Sequence, residues 1–214
     1  MANTQANFGF RHVGDLTGAA PTYQYSTYAI QKSTASAIGF GDPVIRVANS
    51  TAYITLSTPN AATTNPIIGI FYGCQYQPTS GPTVWSPSYP GGSVSAGDII
   101  AYVCDSPNAV FLAATLQTSL STADVGKVIN FSGGAPSTVG QQLSTATLDQ
   151  GTLNSTGGTA LRPEPFKVVG IYGATIGGYG TNYGGVGNGT DQTTNYNWAF
   201  VTFNAQINKL GVGF

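Results

Sequence analysis

The chain is poor in charge. Charged residues make up 7% of its 214 residues, with 7 basic and 8 acidic side chains and a formal net charge of −1, whereas soluble domains average about 25%. Long solvated helices need Glu, Lys and Arg, so this deficit argues against a coiled coil or a helical solenoid. Because nucleic acids and anionic membranes are bound through clusters of basic side chains, the sequence predicts neither as a partner.

Histidine, cysteine and long apolar runs are also scarce. The chain has 1 His and 2 Cys, at His12, Cys74 and Cys104. No apolar run approaches the ~18 residues of a membrane-spanning helix, and residues 1–4 lack the basic start of a secretory signal. We therefore expect synthesis in the cytoplasm, where two cysteines are more commonly buried free thiols than a disulfide.

Residues of the types that commonly carry catalysis are isolated from one another in this sequence. His12 has no cluster of Cys or carboxylates nearby, and the seven aspartates are spread singly, mostly beside turn-forming residues. No nucleophile elbow, phosphate-binding loop or metal-ligand cluster occurs. The sequence thus predicts a protein that is not an enzyme, with no cofactor and no metal. A glycosidase is left open only if two of the aspartates meet in space.

Small, neutral, hydrogen-bonding residues are abundant instead. Ser and Thr supply 44 residues, Gly 29, Pro 12 and Tyr 12, while 41% of residues are apolar. That apolar content with so little net charge is not typical of disorder, and a chain of this size can bury about 70% of its unfolded surface. Short alternating runs separated by Gly, Pro and Asn predict an all-β fold, either an antiparallel barrel or a sandwich.

Local patterns place the strands. A short helical turn is expected at 121–128, with Ser121 as its N-cap. The runs 99–104 and 109–116 flank a loop of turn formers and are predicted to form a hairpin. Gly69 and Gly170 lie in two similar runs, and a glycine inside a strand indicates a bulge or a close backbone approach. The predicted strands are 23–30, 44–47, 52–56, 67–76, 99–104, 109–116, 168–172 and 198–203.

Two segments fall outside this strand pattern. Residues 1–20 are predicted to form an extended arm with Phe8 and Phe10 as aromatic anchors. Residues 173–190 hold eight glycines and predict a long loop. The remaining residues, 21–214, are predicted to form one β-rich domain, with a sub-boundary considered near 130–165.

The stretch 75–92 carries Tyr76, Trp85 and Tyr89 between prolines and glycines. Trp and Tyr give large contact area at little cost in conformational entropy, so these rings suit an interface with another protein. The same three rings are equally suited to covering the hydrophobic core of the predicted β fold. Aromatic rings on loops also stack on sugars, which leaves carbohydrate binding open.

Short motifs lie in a definite order along most of the chain. The first, within residues 1–13, is Phe8-Gly9-Phe10-Arg11 followed by His12 and Val13. The later ones are 41–44, 68–76, 85–90, 102–107, 123–126, 169–171 and 199–204. In this order they resemble a family of small head proteins of tailed bacteriophages.

The resemblance implies a decoration, or cement, protein: a β-rich structural protein of the virion, made in the bacterial cytoplasm and bound to the outside of the expanded capsid. The implied partners are the major capsid protein and further copies of the chain, as a trimer or as a dimer with exchanged arms or strands. The residues predicted to form this capsid or subunit interface are Phe8, Phe10, Arg11, His12, Tyr76, Trp85 and Tyr89.

Other classes remain open at this point. A carbohydrate-binding adhesin of a phage tail or fibre would be equally rich in Ser, Thr and Gly. A major structural head protein is a third candidate, although the long helices of that fold have no counterpart in the sequence. Attachment through amides, hydroxyls and rings is predicted to depend weakly on salt.

Overall fold

A computed structural model of the chain contains two antiparallel β-sheets packed face to face. It describes residues 2–47, 53–59, 65–92, 95–134, 142–154, 164–173 and 188–206. The predicted all-β fold is confirmed, and of the two predicted architectures the sandwich is the one found: the described strands form two open sheets rather than a closed barrel. Within these ranges no helix has the length and apolar character needed to cross a bilayer.

The described strands are β1 (Arg11–Asp15), β2 (Ser26–Ile30), β3 (Pro43–Arg46), β4 (Ile54–Leu56), β5 (Ile67–Tyr76), β6 (Val84–Ser86), β7 (Ile99–Cys104), β8 (Ala109–Ala114), β9 (Val128–Ser132), β10 (Thr147–Asn154), β11 (Phe166–Ile171) and β12 (Trp198–Phe203). Strands β2 to β7 form one sheet, and β1 joins the strands that follow residue 104 in the other. The first sheet has the order β1-β8-β12-β11-β9-β10, and the second β2-β7-β5-β3-β4, with β6 on β5. The described strands nearest the sub-boundary considered at 130–165, namely β9, β10 and β11, are neighbours in the first sheet.

Two hydrophobic cores occupy opposite faces of the second sheet. The first core contains side chains of both sheets, among them Ile70, Phe111 and Phe166, and so lies between them. The second core contains side chains of the second sheet together with loop residues such as Ile38. Successive side chains of a strand point to opposite faces, which is why β5 and β7, covered on both sides over most of their length, are nearly continuous apolar runs.

The predicted hairpin of 99–104 with 109–116 is wrong. β7 pairs with β2 and β5 in the second sheet, whereas β8 pairs with β1 and β12 in the first. The turn formers between them carry the chain from one sheet to the other. Residues that favour a turn do not determine whether the strands on either side pair with each other.

Several local predictions are confirmed. A 3-10 helix spans Thr122–Asp124 directly after Ser121. Cys74 and Cys104 are buried free thiols. Gly69 marks a close backbone approach, because a Cβ there would lie 2.3 Å from the carbonyl oxygen of Cys104. Most of the predicted loop at 173–190 lies outside the described residues.

Candidate functional site

The N-terminal segment, predicted to be an extended arm, packs against its own protomer. The Asn3 amide nitrogen donates to the carbonyl oxygen of Asp191 at 2.7 Å, and its amide oxygen accepts from the backbone nitrogen of Gly189 at 2.9 Å. The backbone nitrogen of Thr4 donates to the Asn188 side chain at 2.7 Å. Residues further on form β1, a strand of the first sheet. The described part of this segment is therefore integral to the sandwich.

Two of the predicted interface residues are core residues. Phe10 is fully buried and stacks on Phe166 with 4.3 Å between ring centroids. Tyr89 is fully buried in the second core, where its hydroxyl lies 2.8 Å from the Thr34 carbonyl oxygen and 3.0 Å from that of Gly92. Neither ring has exposed surface in the isolated protomer, and the role of both in an interface stays a prediction.

Three other predicted residues are partly exposed. Phe8 meets Trp198 edge to face at 5.1 Å. The Arg11 guanidinium lies 5.0 Å above the centre of the Phe40 ring, and its Nε donates to the Phe8 carbonyl oxygen at 3.1 Å. Tyr76 packs against the second core. These contacts position the side chains, and their role in an interface stays a prediction.

His12 lines a cavity of about 610 Å³, together with Asp15, Tyr25, Cys104 and Asp105 among others. Its Nδ1 lies 3.9 Å from the Cys104 sulfur, a pairing of residues 92 apart in sequence. Burial raises the pKa of the Cys104 thiol to about 12. Burial also lowers the pKa of His12, against the opposing effects of the Gly14 carbonyl and the Asp15 charge.

This Cys–His pair differs from a catalytic one in its charge state. A nucleophilic cysteine is stabilised as a thiolate by a neighbouring cation. With the thiol pKa raised and the imidazole pKa lowered, both groups are neutral near pH 7. Among the described residues, moreover, no three side chains of His, Cys, Asp or Glu come together to hold a metal ion.

The first exposed surface is the border of the first sheet. β1 is the outermost strand and pairs with β8, with a register shift between His12 and Gly14. Val13 is 36% and Leu16 42% exposed, and the nearby Tyr23 is 62% exposed. We call this surface the N-terminal edge and define it by Arg11, His12, Val13, Leu16 and Tyr23.

The second exposed surface is an uncovered part of the second sheet. Cys104 of β7 belongs to the core between the sheets, so Ile100 and Tyr102, at alternate positions of the same strand, share its face. Yet Ile100 is 48% exposed. The first sheet therefore leaves this end of the second sheet open to solvent.

The strand register determines which side chains share this open surface. Gln75 lies opposite Trp85 on one side and opposite Ile100 on the other. Ile100 in turn lies opposite Ala29, and Tyr102 opposite Thr27. We call the surface the Trp85 face, and its residues are Thr27, Ala29, Gly73, Gln75, Trp85, Ile100 and Tyr102.

Trp85 dominates this face. The side chain is 61% exposed, and a Cβ placed on Gly73 would lie 3.0 Å from Cζ2 of the indole. The six-membered ring thus rests directly on the backbone of β5. Beside it, the Tyr102 hydroxyl donates to the Gln75 amide oxygen at 3.2 Å. The sequence singled out Trp85, but the other members of the face become neighbours only through strand pairing.

Comparison with known proteins gives no relative of this chain. Scans against protein-family models, curated proteins and solved structures find no match. The structure itself defines an antiparallel β-sandwich with two exposed surfaces of little or no charge, the N-terminal edge and the Trp85 face.

Proposed function

We propose that this protein is a structural protein of a phage virion, which binds the outside of the expanded capsid and stabilises it by clamping neighbouring capsomers. The observation that supports the proposal is the N-terminal edge. The segment whose sequence resembles the start of phage head proteins forms a border strand flanked by exposed apolar side chains.

The exposed side chains of this border are suited to such attachment. Outward backbone groups of β1 are already bonded within the chain, since the His12 N–H donates to the Tyr72 hydroxyl at 2.6 Å and the Asp15 N–H donates to the Ala19 carbonyl oxygen at 3.1 Å. We therefore expect an extended segment of the capsid protein to pack against the side chains of the edge. Val13 and Leu16 then supply apolar contacts to that segment. Since a cement protein binds in several copies, contacts that are weak singly become strong together when the copies are linked in an oligomer.

Point substitutions at the edge test this function. Deletion of residues 2–13 would remove the core ring of Phe10 and part of β1, so loss of binding would be uninformative. The double variant Val13→Ser/Leu16→Ser changes only partly exposed side chains. Val125→Ser is the matched control, because Val125 is 41% exposed on the turn after the 3-10 helix.

The assay is co-sedimentation with expanded heads that lack the protein. We expect wild type and Val125→Ser to saturate the heads, and the double variant to bind at least about tenfold more weakly. Attachment should persist when NaCl is raised to about 1 M, because few charges are available to be screened.

Equal binding by the double variant would refute the role of the edge. Failure of wild type to bind heads would favour the adhesin class, and release by moderate salt would assign the attachment to charges such as Arg11.

A further inference from the structure

We propose that the Trp85 face binds a neutral glycan, with one sugar ring stacked on the indole of Trp85. This inference goes beyond capsid attachment and does not depend on it. It rests on how the ring is held, on the polar groups beside it and on the absence of charge among the residues of the face.

The indole is held as a flat platform. Trp85 lies opposite Gln75, and its neighbour on the same face is Gly73, which has no side chain to lift the ring. The positive φ of 132° at Gly73 also favours glycine at this position. Cζ2 and Cε2 of the indole lie over Gly73, and 61% of the Trp85 side chain is exposed, so we infer that the side of the ring away from the strand is open. The open side carries the negative face of the π system, which attracts the C–H groups on the apolar side of a sugar ring.

Polar groups stand next to the platform. The Gln75 amide and the Tyr102 hydroxyl are hydrogen-bonded to each other at the surface. Both groups can donate and accept, so they can exchange that bond for bonds to sugar hydroxyls. Thr27, opposite Tyr102, adds another hydroxyl to the same face.

The lack of charged side chains on the Trp85 face indicates the kind of ligand that it binds. None of its seven residues, namely Thr27, Ala29, Gly73, Gln75, Trp85, Ile100 and Tyr102, is ionisable near pH 7. A neutral sugar matches such a surface, whereas an acidic glycan or a nucleic acid would need basic side chains. Exposed Ile100, one strand beyond Gln75, extends the apolar surface far enough for contact with a second ring.

Isothermal titration calorimetry with defined sugars tests the inference. The probes are cellohexaose, maltohexaose and chitohexaose as neutral chains, and oligogalacturonate as an acidic one. We expect at least one neutral chain to bind, and Trp85→Ala to weaken that binding by about tenfold or more. Trp85→Phe, which keeps a ring, should restore much of the affinity. Tyr23→Ala is the matched control, because Tyr23 is as exposed as Trp85 but lies on the N-terminal edge.

Each contrary result has a definite meaning. The proposal is overturned if no neutral chain binds the wild type, if Trp85→Ala binds as tightly as wild type, or if Tyr23→Ala weakens binding equally. Preferential binding of the acidic chain would also overturn it. If Trp85→Ala instead changes the sedimentation of the protein in the absence of sugar binding, the face is a contact between copies of the chain.

Discussion

Replacement of Phe10 by alanine separates a core residue from a capsid anchor. Phe10 is fully buried in the core between the sheets. It stacks on Phe166 at 4.3 Å and meets Phe131 edge to face at 6.4 Å. We therefore expect Phe10→Ala to lower the stability of the protein in the absence of any capsid.

The size of the effect follows from these contacts. Truncation of a buried Phe to Ala costs about 3–5 kcal/mol through lost transfer free energy and the cavity left behind. We expect about 4 kcal/mol at Phe10, since the ring loses two aromatic partners as well. That is a large part of the 5–15 kcal/mol by which domains of ordinary size are stable. For a chain of about 200 residues it corresponds to a drop in Tm of roughly 8–16 °C.

Urea unfolding followed by circular dichroism measures this loss, with Phe8→Ala as the matched control. Phe8 is the same residue type two positions earlier, but it is half-buried and touches Trp198 edge to face. We expect its truncation to cost about 1–2 kcal/mol. The urea concentration at the midpoint of unfolding should therefore fall much further for Phe10→Ala than for Phe8→Ala. The dependence of the unfolding free energy on urea concentration should be similar in both variants.

A small loss of stability at Phe10 would refute the reasoning. If Phe10→Ala unfolds within about 1 kcal/mol of wild type and yet fails to bind heads, the ring belongs to a projecting arm. The burial of β1 in the sandwich would then be incorrect as well.

Two further predictions concern thiols and a turn. Cys74 and Cys104 are buried, and burial raises the pKa of each thiol to about 12. Both should therefore react with a thiol reagent only when the protein unfolds. Rapid reaction of the native protein would contradict the burial of these thiols. Although burial opposes ionisation of Asp124, hydrogen bonds from Lys127 and Ser121 hold its pKa below the ordinary value. Asp124→Asn should cost about 0.5–1 kcal/mol at pH 7. In urea titrations the difference should begin to shrink as the pH falls below about 4, and it should be lost once the pH is below the lowered pKa of Asp124, because the hydrogen bonds favour only the ionised form. A difference of equal size at about pH 2 and at pH 7 would assign the effect to the side-chain change alone.

The strands that could be predicted are those with an uninterrupted local pattern. The predicted runs 67–76, 99–104 and 198–203 coincide with β5, β7 and β12. These strands lie inside their sheets and consist largely of buried apolar residues. In such strands most positions are buried, so a nearly continuous apolar run marks their length.

Four strands were missed, namely β1, β6, β9 and β10, and all but β9 are short, interrupted or at the border of a sheet. β9 lies inside the first sheet, between β11 and β10. β1 contains a register shift that breaks the alternation at Val13, and β6 has only three residues. β10 is the other border of the first sheet, and its pairing with β9 shifts between Asp149 and Asn154. A border strand is hydrogen-bonded to a neighbouring strand on one side only and is less fully covered than an interior strand. Its sequence therefore shows a weaker apolar pattern.

The sequence by itself determined the class of fold and the chemical character of the surface. Scarce charge, abundant Ser, Thr and Gly, and short apolar runs are sufficient to predict an all-β protein whose polar side chains are mostly neutral. Only the tertiary structure decided the place of each aromatic ring. Phe10 and Tyr89 are in the cores, whereas Trp85 lies on an open face beside Gln75 and Ile100. The physical reason is that burial depends on strand register and sheet packing, which are contacts between residues far apart in the chain.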